Sequence, residues 1–147
     1  MATETANQKY QYNQTFYGRT LDDWVQLVHK NNATVNNWKY FPLKKGAFGY
    51  DNLVISLSYL FTKSGNVLQS QSINNDFLAD LVHRGWIENY LYWRDNKPWN
   101  SNSNYFKPAQ PLGDDRRNLC AKTEYAQLPD EEKVKDKDIA NFICKNL

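Results

Sequence analysis

The sequence predicts a mainly α domain with minor β, an α+β chain, on three observations. Apolar residues recur at helical spacing in four separate segments, which begin near Leu21, Leu53, Phe77 and Val134. Helix-start chemistry stands ahead of each: Thr20, Asp51, Asn75 or Asp76, and Pro129. The aromatic, Gly- and Pro-interrupted stretches between them leave room for little more than a short hairpin.

In chain order, residues 1–15 are polar and rich in Gln, Asn and Thr. They read as a flexible N-terminal arm whose end is pinned by Tyr10, Tyr12, Phe16 and Tyr17, with a single domain following over 16–147. Thr20 is an N-cap with Asp23 at the N3 position of a capping-box pattern. Leu21, Trp24, Val25, Leu27 and Val28 make one apolar face, so a helix is predicted over 21–31, closed by Asn31-Asn32. Residues 32–50 spread Trp38, Tyr40, Phe41, Phe48 and Tyr50 among Pro42, Gly46 and Gly49, with Lys39, Lys44 and Lys45 between them. An ordered loop with a short hairpin, packed on the body through its rings, is expected there.

Asp51 is placed to cap the next segment, where Leu53, Leu57, Leu60 and Phe61 keep helical spacing, although Val54, Ser56 and Ser58 also permit a strand. Ser64-Gly65-Asn66 ends it. A third helix starts at Asn75 or Asp76, with Phe77, Leu78, Leu81, Val82, Trp86 and Tyr90 on one side and the i,i+4 pair Asp80–Arg84 on the other. Gly85 inside that helix costs about 1 kcal/mol against alanine, which implies close approach by a neighbouring backbone or a ligand. Residues 96–113 hold three prolines and the Asn/Ser run Asn100–Asn104, a long loop. The last helix has the clearest start. Pro129 fits its first turn, Asp130, Glu131 and Glu132 sit where the helix dipole is positive, and Glu131–Lys135 is an i,i+4 pair. Val134, Ile139, Phe142 and Ile143 supply its apolar stripe.

Aromatic residues make up 15% of the chain, with 5 Trp, 10 Tyr and 7 Phe, and this excess serves both a core and stacking surfaces. A net charge of +2 provides no global field toward a nucleic-acid polymer or an anionic membrane. No apolar run reaches membrane length, so the expected location is cytoplasmic. Cys120 and Cys144 give neither a disulfide framework nor metal-ligand spacing.

For catalysis the sequence offers little. It has no nucleophile elbow, no phosphate-binding glycine loop and no deaminase signature, and His83 reads as a structural residue that ties its helix to a neighbouring loop. Arg116 and Arg117 beside Asp114-Asp115 disfavour a metal there, leaving a turn with local ion pairs. A non-enzymatic chain without a cofactor or metal is expected. Binding is the stronger reading. Trp86, Trp93 and Trp99 are interleaved with Arg84, Arg94, Lys97, Arg116 and Arg117. Flat rings beside guanidinium groups suit a ligand with one planar and one anionic part, since a base stacks on indole and arginine holds phosphate bidentately. The same composition also suits a protein–protein adaptor, or a homo-oligomer, in which exposed aromatics meet a partner.

The C-terminal half carries a resemblance. Asp114, Asp115, Arg116 and Arg117, then Tyr125, Leu128, Pro129, Glu132, Lys133 and Asp136, resemble the tail of the RyR domain, the repeat of ryanodine receptors that also occurs in bacterial and phage proteins. Leu78–Trp86, with its His83-x-x-Trp86, is similar to that family's first helix. The likeness spans roughly residues 74–143, to which the N-terminal half would add helices and an aromatic loop. The chain departs from the pattern in its Trp99–Phe106 insertion and in lacking a His-Pro before the aromatic. The resemblance implies capture of an adenine-containing or cyclic nucleotide, or an ADP-ribose-type ligand, in sensing or sequestration during phage–bacteria defence. The candidate ligand-binding residues are Trp86, Tyr90, Trp93, Arg94, Trp99, Asp115, Arg116, Arg117 and Tyr125, with Trp93 or Trp99 as the stacking ring.

Overall fold

The computed structural model describes residues 13–45, 48–65, 67–69, 75–96 and 115–147. Two short strands, β1 (Thr15–Phe16) and β2 (Arg19–Thr20), pair antiparallel with Thr15 opposite Thr20 and Phe16 opposite Arg19. Tyr17 and Gly18 turn the hairpin at φ +52° and +80°, the left-handed pair that a tight two-residue loop requires. Phe16 stacks on Phe61 at 4.7 Å, and its carbonyl accepts from Trp24 Nε1 at 2.8 Å. The end of the expected arm is therefore a hairpin held on the core; residues 1–12 lie outside the described residues.

Helix α1 (Leu21–Val35) opens on the predicted capping box, Asp23 N–H to Thr20 Oγ1 at 3.1 Å and Thr20 N–H to Asp23 Oδ2 at 3.4 Å. It does not stop at Asn31-Asn32. Ala33 is buried on the core, and burial outweighs the weak propensity of two asparagines. Helix α2 (Phe48–Lys63) begins ahead of Asp51, which lies buried inside the first turn and accepts from Trp93 Nε1 at 3.1 Å rather than capping. Residues on every side of α2 are buried, among them Leu53, Val54, Leu57, Ser58 and Leu60, so it is the central helix.

Helix α3 (Asn75–Asn96) makes the most extensive helix–helix packing of the fold, against α2. Gly85 meets Ser56 and Trp93 meets Phe48, so the two helices run antiparallel. A Cβ on Gly85 would stand 2.6 Å from Ser56 Cα and 2.8 Å from the Ile55 carbonyl oxygen. The mid-helix glycine thus answers to a backbone, as its position predicts. Phe77, expected on the apolar side, is exposed because it falls off the arc of Leu78, Val82 and Gly85.

Helix α4 (Asp115–Ala121), a single 3-10 turn (Tyr125–Gln127) and helix α5 (Asp130–Lys145) complete the described chain. Pro129 is the N-cap, in extended conformation, one residue outside the expected first helical position. Ala140 and Ile143 bury the far half of α5 on the core beside α1 and α3, whereas Val134 points outward because the first two turns face Glu132 and Asp136 inward. Lys135 pairs with Glu132 at 3.4 Å instead of with Glu131. The fold is mainly α with minor β. No helix among the described residues is long and apolar enough to cross a membrane.

Candidate functional site

The residues singled out by sequence do not form one open site. Trp93 is 2% exposed, edge-on to Phe48 at 5.6 Å and hydrogen-bonded to Asp51. It is core, not a stacking platform. Trp86 lies nearly parallel to both His83 (6.0 Å) and Tyr90 (5.1 Å), so rings of its own helix cover its two faces. Tyr90 is buried and donates its hydroxyl to Asn118 Oδ1 at 2.9 Å, the same oxygen that receives Arg94 Nη1 at 2.9 Å. Asn118, which sequence reasoning missed, thereby joins α3 to α4. Arg94 is also paired with Asp95 at 2.8 Å. Trp99 lies outside the described residues.

The acidic–basic turn is a helix, and its ion pair is not local. Arg116 holds Glu132 of α5 through Nε and Nη2, each at 2.9 Å. Asp115 is exposed and Arg117 half-buried. Tyr125 is buried against Ala79 and Leu128 and donates to Asp76 Oδ1 at 2.9 Å. Burial and the Asp76 carboxylate push its phenol pKa well up, while the donated hydrogen bond and Lys137 hold Asp76 low. Asp76 and Arg94 stand at opposite ends of α3, 18 residues or roughly 27 Å apart at 1.5 Å per residue. Tyr125 therefore does not share a site with Arg94.

What the C-terminal motif residues do form is a joint. His83, 3% exposed, donates from Nε2 to the Thr123 carbonyl at 2.8 Å, which leaves Nδ1 facing Asp136 Oδ2 at 3.8 Å. Burial first, then the nearby Glu132, push the Asp136 carboxyl up to about 8. Lys133 sits over the Tyr125 ring at 5.7 Å. His83 ties its helix to the neighbouring turn, as its sequence context predicts.

An open aromatic surface exists elsewhere, on the loop expected to pack inward. Trp38 and Phe41 are 61% and 62% exposed, beside the half-exposed Tyr40 and the outward Val35. The loop backbone is nonetheless fixed. Leu43 plugs the core and exchanges two hydrogen bonds with the Gln26 amide, at 3.0 and 3.1 Å. His29 Nε2 donates to the Phe41 carbonyl at 2.7 Å, and Trp38 N–H to the Ala33 carbonyl at 2.8 Å. With the backbone spent on α1, the Trp38 and Phe41 rings face solvent, while Tyr40 tilts against the His29 ring at 5.7 Å. Lys39 lies over Phe41 at 5.4 Å and Lys30 over Tyr40 at 5.9 Å. From Trp24 to Tyr50 the chain has four lysines and not one carboxylate. Alongside runs a groove of about 340 Å³ lined by Arg19, Asp23, Gln26, Leu27, Lys30 and Tyr40.

Compared with protein-family models, curated proteins and solved structures, the chain matches none. The sequence reading names this lysine-interleaved run of rings but packs it inward; the signal it did not use is the absence of a carboxylate between Trp24 and Tyr50. Among the described residues no group of three or more His, Cys, Asp or Glu is placed to hold a metal ion.

Proposed function

We propose that this chain is a non-enzymatic binding module that captures a small nucleotide-derived ligand in the Tyr40 groove. The base stacks on the Tyr40 ring, and the phosphates lie toward Lys30 and Arg19. The observation that carries this reading is the groove, which joins a half-exposed ring to two cations, Arg19 of β2 and Lys30 of α1. Arg19 is itself held in place, 4.7 Å over the Trp24 ring with Nη1 on the Asn146 carbonyl at 2.6 Å. Asp23 at the groove edge already accepts from the Thr20 amide, so it suits the base and ribose end rather than a phosphate.

The nucleotide class is the one that the RyR-like motifs imply, and membership in that family with a role in phage–bacteria defence is part of the proposal. The ligand's position differs from the one those motifs imply, because Trp86 and Trp93 are taken up by packing. A protein–protein adaptor is the second reading, favoured by the exposure of Trp38 and Phe41 beyond the groove.

A thermal-shift panel of mono-, di- and cyclic nucleotides and ADP-ribose tests the first reading. Ligand at about 100 times its dissociation constant adds roughly 2.7 kcal/mol, or about 5–10 °C for a domain of this size. The shift should vanish in Tyr40→Ala and Lys30→Ala. A panel without any shift, or a shift that survives both substitutions, refutes the groove; recovery of a chemically altered ligand makes the chain an enzyme.

A further inference from the structure

We infer that the surface continuing from the groove across Trp38 and Phe41 binds a single-stranded polynucleotide, one base per exposed ring. The inference deepens the nucleotide reading: it uses the same groove for one base and adds a track for its neighbours. Three observations carry it. The rings are open while their backbone is pinned to α1 and Leu43, so stacking on them orders little that is not already ordered. Two of the rings carry a lysine ammonium over one face, Lys39 over Phe41 and Lys30 over Tyr40, so cations alternate with rings along the loop and a base would stack on the other face. The stretch from Trp24 to Tyr50 contains no carboxylate, and the one acid that lines the groove, Asp23, is engaged with the Thr20 amide.

That alternation is what a polynucleotide presents in reverse, with bases that stack on any ring and phosphates that draw in lysine. An apolar protein partner would take the rings but leave Lys30, Lys39 and Lys44 without counter-charge. A duplex hides its base faces and would gain only the cations. The expected ligand is therefore unpaired and sequence-tolerant, and it differs from the globally neutral expectation because local rather than net charge decides the contact.

The test uses the full chain with a fluorescein-labelled twelve-nucleotide oligo-dT, the matching oligo-rU, a duplex of equal length, polyphosphate and ATP. Anisotropy at low salt should show binding of dT or rU, weaker binding of the duplex, and a log–log salt slope of roughly −2 for three phosphate contacts. Trp38→Ala and Phe41→Ala should each weaken the strand between fivefold and a hundredfold, about 1–3 kcal/mol per stacked base. Both rings are exposed, so the melting temperatures should not change, which separates lost stacking from lost folding. ATP binding with no strand binding overturns this inference and leaves the groove reading standing; failure of both overturns both. Equal binding of polyphosphate, or a strand affinity untouched by the two ring substitutions, also overturns it. So does a concentration-dependent mass that Trp38→Ala abolishes, which would assign the surface to a second copy of the chain.

Discussion

Gln26 holds Leu43 from both sides: its Oε1 accepts the Leu43 amide and its Nε2 donates to the Leu43 carbonyl. One side chain on α1 thus imitates a strand partner for a loop that has no sheet to join. Replacing it with alanine leaves two partly buried backbone groups unpaired, at a cost of about 1–3 kcal/mol each if water does not reach them. Gln26→Ala is expected to lower stability in urea and to speed hydrogen exchange at Leu43 by at least tenfold. Unchanged exchange there would mean the loop is held by His29 and Leu43 packing alone.

Gly85→Ala brings helix propensity and sterics into conflict. Alanine favours the helix by about 1 kcal/mol, but its Cβ would meet the α2 backbone at 2.6 Å, and backbone cannot step aside as a side-chain tip does. Overpacking of this kind costs about 1–3 kcal/mol or more, so the variant should be less stable. A urea midpoint equal to or above that of the parent chain would show that α2 and α3 are free to separate.

Trp93 distinguishes core from ligand surface. Truncation to alanine removes a fully packed ring and is expected to cost about 3–5 kcal/mol. Trp93→Phe keeps much of the packing, and gives up the Nε1 donor to Asp51 and part of the buried ring. It should bind nucleotides as the parent does; loss of binding in this milder variant would return the ligand to the α3 end.

Asp136 predicts a pH dependence with a definite sign. Its folded pKa, about 8, lies above the ordinary 3.8, because burial and the charges of Glu132 and Asp80 outweigh Lys135. The native state keeps a proton that the unfolded chain gives up, so stability from this group falls as pH rises from about 4 and is fully lost above about 8, by at most about 1.4 kcal/mol per pH unit. Asp76 acts in the opposite sense below pH 4, where protonation ends its pairing with Tyr125 and Lys137. Asp136→Asn should flatten the upper slope and be more stable than the parent at pH 8, measured by urea unfolding across pH. A parallel pair of pH profiles would remove the buried carboxyl from the account.

By itself, the sequence determined what is local. The capping box at Thr20, the helix closed before Gly65 and the acidic first turn after Pro129 depend on neighbours a few residues away, and each occurs as read; Gly85 marked a close approach, but the tertiary structure decided that α2 makes it. The tertiary structure alone decided which aromatic rings are filler and which are free. Trp93 and Trp38 are the same residue type in similar polar–aromatic contexts, yet one faces Phe48 and Asp51 across the α2–α3 interface and the other faces water. Exposure depends on which helix passes overhead, and that is fixed by contacts between residues some 40 or more positions apart, as with Asp51 and Trp93. The exposed loop follows the same logic, since Gln26 and His29 take its backbone and leave Trp38 and Phe41 turned to solvent.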